Sequence, residues 1–275
     1  MPAIPGEKLA EDLIKKLKSE PIPSKILAAI LVGNDPRSLS FLKIKERVAK
    51  ELGVDFRIYK IEGANNDIVR AEIGRIALGK NIGGVVVELP LPEGVNPHYV
   101  LNVIPREKDV DVLGERASGS FYNWRNPVLP PAVGVVEELL ITYKLEVPTL
   151  KAAIIGFGAL VGKPITTWLM GRAAEVYLLG KASDFGILEQ ANLVVLGVGE
   201  PGLVKPEMLK KGAYVIDFGY EYSEGKPQGD FDSSNESLVL SNKLMYTPTP
   251  RGTGPILVAK LFENFYKLAS QQKIA

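Results

Sequence analysis

The sequence predicts an α/β fold of two domains around a cleft, each domain a parallel sheet covered by helices. Three observations predict it. Apolar runs of strand length alternate with helical patterns in both halves of the chain. A Pro- and Asn-rich stretch, Tyr122 to Pro131, separates the halves. The second half opens on a strand-like run, Ala152 to Ile155, that breaks into closely spaced glycines.

Taken in order, Leu9, Leu13, Ile14 and Leu17 fall at helical spacing among Lys and Glu, and Pro21 and Pro23 end that helix. Ile26 to Val32 reads as a buried strand stopping at Gly33-Asn34-Asp35-Pro36. Leu39, Leu42, Ile44 and Val48 support a helix from about Ser38 to Leu52, followed by a strand over Val54 to Ile61. A helix from about Asp67 to Leu78 precedes a strand, Gly84 to Glu88, that ends at Leu89-Pro90-Leu91-Pro92. Val133 to Tyr143 is a helix that bridges the two domains. The second half then predicts strands 151–155, 175–179, 192–197 and 213–217 and helices 161–171, 184–190 and 206–211. A loop from Glu221 to Asn242 and a final helix from about Pro255 to Leu268 close the pattern.

The glycine turn carries the first functional reading. Gly156 and Gly158 let the backbone turn and approach a ligand, and Gly162 lets the new helix lie close on the strand. Pro164 suits a first helical turn. The amides and positive end of such a helix favour a phosphate, so a dinucleotide is the natural guest of this Rossmann-type context. An acid at the end of the next strand would hold the ribose hydroxyls of NAD, but Val176-Tyr177-Leu178-Leu179 runs into Gly180-Lys181. Lys181 is therefore either a phosphate contact for NADP or a solvated surface lysine.

Composition removes several classes of chemistry. With 46% apolar and 24% charged residues and a formal charge of +1, the chain gives no reason to expect nucleic acid or an anionic membrane as partner. No signal-peptide pattern opens it, so a cytoplasmic location is the default expectation. Zero cysteines exclude disulfides, thiolate metal sites and a cysteine nucleophile, and no metal site is expected. The one histidine, His98, sits at the start of a predicted surface helix. Proton chemistry would rest on Lys, Asp, Glu or Tyr.

Three loops at strand ends of the first half carry polar groups: Asp35 to Lys45, Glu88 to Pro92, and Lys108-Asp109-Val110-Asp111. Ligands of open α/β sheets collect at strand carboxyl ends, so these loops are expected to share a site. Phe41 and Lys45, four residues apart, lie along one helix face.

These segments resemble the bifunctional methylenetetrahydrofolate dehydrogenase/methenyltetrahydrofolate cyclohydrolase family over nearly the whole chain. The matching stretches are Val32 to Ser38 through Lys45, Glu88 to Pro92, Lys108 to Asp111, Leu129 to Val133, Gly156 to Pro164, Val215 to Gly219, Gly229-Asp230, and Thr247 to Pro255. The resemblance implies a folate-binding catalytic domain, 1–125 plus 250–275, and a Rossmann-type dinucleotide-binding domain, 126–249. It also implies a homodimer, a folate substrate and NADP as the usual cofactor, with NAD possible. Lys45 matches the family's catalytic lysine and Asp111 the aspartate that holds the pterin ring; Glu88 takes the position beside that lysine. Phe41, Leu89, Pro90, Leu91, Pro92, Gly254 and Pro255 would line the folate side. Gly156, Phe157, Gly158, Val161, Gly162, Lys181, Pro201, Asp217 and Thr253 would line the cofactor side.

The departures fall on the positions that matter most. Phe41 stands where the family has tyrosine and Glu88 where it has glutamine. A carboxylate touching Lys45 would stabilise the ammonium and raise the lysine pKa, so hydrolysis should suffer first. Val112 and Arg251 replace glycines, Leu129 replaces threonine, and Phe157-Gly158 replace an Arg-Ser pair whose arginine helps hold the NADP phosphate. The expected activity is methylenetetrahydrofolate dehydrogenation, with cyclohydrolase activity retained or reduced. Two alternatives share the architecture: a non-catalytic or repurposed paralogue, and a shikimate-type dehydrogenase.

Overall fold

The structure is a computed structural model describing residues 2–63, 65–223 and 226–272. The chain divides into two compact units, Asp12–Pro131 with Val258–Ala275, and Ala132–Leu257 with Met1–Glu11.

In the Asp12–Pro131 unit, β1 (Ile26–Val32), α2 (Pro36–Leu52), β2 (Phe56–Ile61), α3 (Asn66–Ala77) and β3 (Ile82–Val87) follow α1 (Gly6–Leu17). α4 (Pro97–Leu101) and α5 (Glu115–Tyr122) come next. The strands form one parallel sheet in the order β2-β1-β3. Every residue of β1 and β3 is buried, as strands covered on both faces require. Ala28, Ile30 and Val32 face α3 and α4 through Ile73, Ile76, Val100 and Leu101. Ala29 and Leu31 meet Leu42 of α2 on the other side. Asp35 starts α2 by accepting from the Ser38 amide at 2.7 Å, Pro36 occupies its first turn, and Gly53 ends it at φ +70°.

In the other unit, α6 (Pro131–Thr142) leads to β4 (Lys151–Ile155), α7 (Gly162–Leu169), β5 (Glu175–Leu179), β6 (Leu193–Leu196) and β7 (Tyr214–Asp217). A hairpin, β8 (Glu221–Ser223) and β9 (Lys226–Gln228), is followed by α8 (Glu236–Ser241), β10 (Met245–Tyr246) and α9 (Thr253–Gln271). The parallel sheet runs β10-β7-β6-β4-β5. Ranked by appearance this is 2-1-3-4-5, a doubly wound order whose switch point lies between β4 and β6. Among the described residues, no helix is long and apolar enough to cross a membrane.

Several sequence expectations need correction. Residues 184–190 and 206–211 do not form α-helices; they contain 3₁₀ turns, Phe185–Glu189 and Pro206–Met208. The stretch 221–242 is not a plain loop, since it holds β8, β9 and α8, and α5 was not anticipated. These pieces are too short for apolar periodicity to show. The unit boundaries also differ from those expected. Ile4 donates to the Tyr246 carbonyl at 2.7 Å and Tyr246 to the Pro2 carbonyl at 2.9 Å, which ties the N-terminal residues to β10. Residues 250–257 stay with that same unit through Thr253, and only the later part of α9 belongs with β1 to β3.

Candidate active site

The switch point of the β2-β1-β3 sheet lies between the carboxyl ends of β1 and β3, and two of the predicted residues meet there. Lys45 projects from α2, the helix after β1; Glu88 is the first residue beyond β3. Lys45 Nζ donates to Glu88 Oε1 at 2.6 Å, and their side chains are 8% and 4% exposed. The contact on which the sequence reading was conditional is present, as a buried ion pair. Phe41, half-buried, lies one turn ahead of Lys45 on α2. Leu89, Leu91 and Pro92 are half-buried and Pro90 is exposed. Ser38 Oγ lies 2.9 Å from Asp35 Oδ2 and 3.3 Å from the Leu89 carbonyl, so one hydroxyl joins the start of α2 to the loop after β3.

Asp111 completes the group. It keeps some contact with solvent, yet its carboxyl is pushed up to about 7. Loss of hydration is the main cause; the Lys45 charge opposes it, and Asp109 and Glu88 reinforce it. Buried Asp109 builds the turn beneath, accepting from Gly114 N at 2.7 Å and Leu113 N at 3.2 Å, and burial raises its own carboxyl to about 6. Inside that turn Val112 adopts φ +59°. The backbone thus keeps the left-handed form a glycine would favour while carrying a β-branched residue. Arg251 likewise holds a left-handed backbone, at φ +78°. Asn264, a buried polar residue of α9, donates to the carbonyls of Val110 at 2.8 Å and Leu129 at 2.7 Å. Asn264 did not stand out in the sequence; an Asn between Phe262 and Phe265 on an apolar helix was the available signal.

The other unit carries the glycine turn at its own switch point. Gly156 adopts φ +101°, and a Cβ there would lie 2.7 Å from the Gly197 carbonyl oxygen after β6. A Cβ on Gly162 would sit 1.9 Å from the Gly156 carbonyl oxygen, so the start of α7 reaches the strand end only because residue 162 has no side chain. Gly158 faces open space, and Val161 caps α7 with no side-chain hydrogen bond. Space and backbone geometry fit the phosphates of a dinucleotide. Phe157 is exposed beside this turn and Pro201 is half-buried in the loop after β6.

Lys181 pairs with Glu200 at 2.8 Å. Asp217 is turned inward: its oxygens accept from Gly219 N at 2.7 Å and Phe231 N at 2.9 Å. Burial pushes that carboxyl up to about 7. Thr253 donates to the Asp217 carbonyl at 2.9 Å, which places Gly254 and Pro255 in the first turn of α9 within this unit. Asp217 and Thr253 thus shape the loop after β7 and the start of α9, where their polar side-chain atoms are engaged.

Parallel sheets with a buried lysine-carboxylate group at one switch point and a glycine turn at the other define a two-unit α/β protein of the dinucleotide-binding class. More narrowly, the chain belongs to the tetrahydrofolate dehydrogenase/cyclohydrolase family. Residues 4–111 match the family's catalytic domain and residues 130–273 its NAD(P)-binding domain. The bifunctional protein FolD of Helicobacter pylori (strain HPAG1) is 33% identical over 273 residues, covering 94% of this chain and 92% of that protein. The crystal structure of the FolD methylenetetrahydrofolate dehydrogenase/cyclohydrolase from Campylobacter jejuni superposes with a TM-score of 0.88 at 30% identity, covering 97% of each chain. The Trypanosoma brucei enzyme, solved with NADP cofactor and inhibitor, gives 0.88 at 26% identity and covers 99% of this chain and 98% of its own. A shikimate 5-dehydrogenase from Thermus thermophilus shares the fold alone, with a TM-score of 0.53 at 13% identity, covering 88% of this chain and 93% of its own.

Proposed function

We propose that this protein oxidises methylenetetrahydrofolate to methenyltetrahydrofolate with a nicotinamide dinucleotide, and that its hydrolysis of the methenyl product is restrained. The buried Lys45–Glu88 pair carries the reading. It puts the lysine at the strand ends of the folate-type unit and gives it a charged partner. Asp111 in its ionised form offers two acceptor oxygens to a 2-aminopyrimidine edge, which orients a pterin. Phe41 offers a ring to stack on the substrate without a hydroxyl to bond it. Lys45 is the group able to exchange a proton at the one-carbon bridge, and Glu88 engages it there in a buried ion pair at 2.6 Å. The Gly156 to Gly162 turn would hold the cofactor's phosphates through backbone amides. When bound, the cofactor supplies the hydride acceptor. Family resemblance further supports a homodimer acting in cytoplasmic one-carbon metabolism.

The test is turnover of methylenetetrahydrofolate with NAD or NADP, followed by absorbance of the methenyl product. Product formation with either cofactor is expected. Complete absence of turnover, with no dinucleotide bound, would favour the non-catalytic paralogue.

A further inference from the structure

In a dinucleotide fold the end of the second strand discriminates between cofactors. A carboxylate there receives the ribose hydroxyls of NAD, whereas a cation accommodates the 2′-phosphate of NADP. β5 supplies no acid, since Leu179 is followed by Gly180 and Lys181. The acid arrives instead from the loop after β6, where Glu200 Oε2 lies 2.8 Å from Lys181 Nζ. The backbone of that loop is pinned. Asp230, 1% exposed, accepts from the amides of Val198 at 2.7 Å, Gly199 at 3.2 Å and Glu200 at 2.7 Å. Glu200 is thus presented from a fixed loop, although its side chain is partly solvated.

Phe157 points the same way. A Cβ on Gly180 would fall 3.2 Å from Phe157 Cε2, so the ring lies against the backbone just past β5. It is 52% exposed and contributes no hydrogen-bond donor where a phosphate would need one.

We propose that Glu200, anchored by Asp230 and paired with Lys181, makes this protein select NAD over NADP. This rests on the dinucleotide reading of the site. Ribose hydroxyls donate to the Glu200 carboxylate while Lys181 stays in its ion pair. A 2′-phosphate carries a charge of roughly −1.5 to −2 and must either draw Lys181 away from Glu200 or face that carboxylate.

Calorimetric titration of the full-length protein with NAD and with NADP, in the native sequence and in Glu200→Gln, tests this. NAD should bind about tenfold more tightly than NADP to the native protein, the gap expected when one exposed charge contact changes sign. In Glu200→Gln the NADP affinity should rise and the preference shrink, while circular dichroism stays unchanged because the residue is solvated. Equal or tighter binding of NADP to the native protein overturns the proposal and leaves the dinucleotide reading standing. So does a preference that Glu200→Gln leaves intact. Binding of neither cofactor overturns both.

Discussion

Replacing Glu88 by Gln, alone and with Phe41→Tyr, should raise cyclohydrolase activity. Lys45 and Glu88 approach to 2.6 Å in a site where both are nearly buried, so at an effective dielectric of about 20 their attraction is about 6 kcal/mol before the cost of dehydrating them. Gln keeps an oxygen acceptor for the Lys45 hydrogen bond and removes the charge. If removing the carboxylate charge lowers the barrier to hydrolysis by about 1.4 kcal/mol, a small part of that attraction, hydrolysis accelerates about tenfold. Phe41→Tyr restores a hydroxyl on the same helix face and should add to the gain. The stability change runs the other way, because the buried pair loses its Coulombic attraction while keeping a hydrogen bond; Glu88→Gln should lower the unfolding free energy by about 1–3 kcal/mol. The assay is the decay of methenyltetrahydrofolate absorbance without cofactor, with urea unfolding of each variant alongside. Hydrolysis unchanged in the folded double variant would refute the claim that the ion pair restrains Lys45.

Three further outcomes follow from the same geometry. Asp111, at about 7, is protonated below that pH and ionised above it, so folate KM should rise as pH falls through 7; Asp111→Asn should bind folate weakly and lose most of that pH dependence in KM measurements. Gly162→Ala places a Cβ 1.9 Å from the Gly156 carbonyl and should cost about 1–3 kcal/mol in denaturant unfolding, together with most dinucleotide affinity by calorimetry. Arg251→Gly relieves a left-handed backbone at φ +78° and gives up a solvated contact to Glu7 at 3.6 Å, so it should stabilise by about 1 kcal/mol in urea titration.

Much of this was legible in the sequence because the devices involved are local. Ile26 to Val32 is apolar throughout, as a strand buried on both faces must be, and Asp35-Pro36 announces the helix that carries Lys45. The glycines at 156 and 162 follow from close backbone approach, and the structure shows the atoms they approach. Contacts between distant segments were less legible. Glu88 and Lys45 were linked only by resemblance, since nothing in their separate patterns fixes a 2.6 Å contact. Glu200 gave no signal, for its meeting with Lys181 depends on where the loops after β5 and β6 end and on Asp230 beneath. The N-terminal residues were assigned to the wrong neighbours because Pro2 to Ile4 is too short to reveal pairing with Tyr246.

Comparing both rates on one preparation offers the most direct test. Native protein should convert methylenetetrahydrofolate to the methenyl form with a nicotinamide cofactor faster than it hydrolyses that product, and Glu88→Gln should narrow the difference. Hydrolysis outpacing hydride transfer in the native protein, or neither reaction in protein shown to be folded, would contradict the proposed dehydrogenase in which a buried carboxylate restrains Lys45.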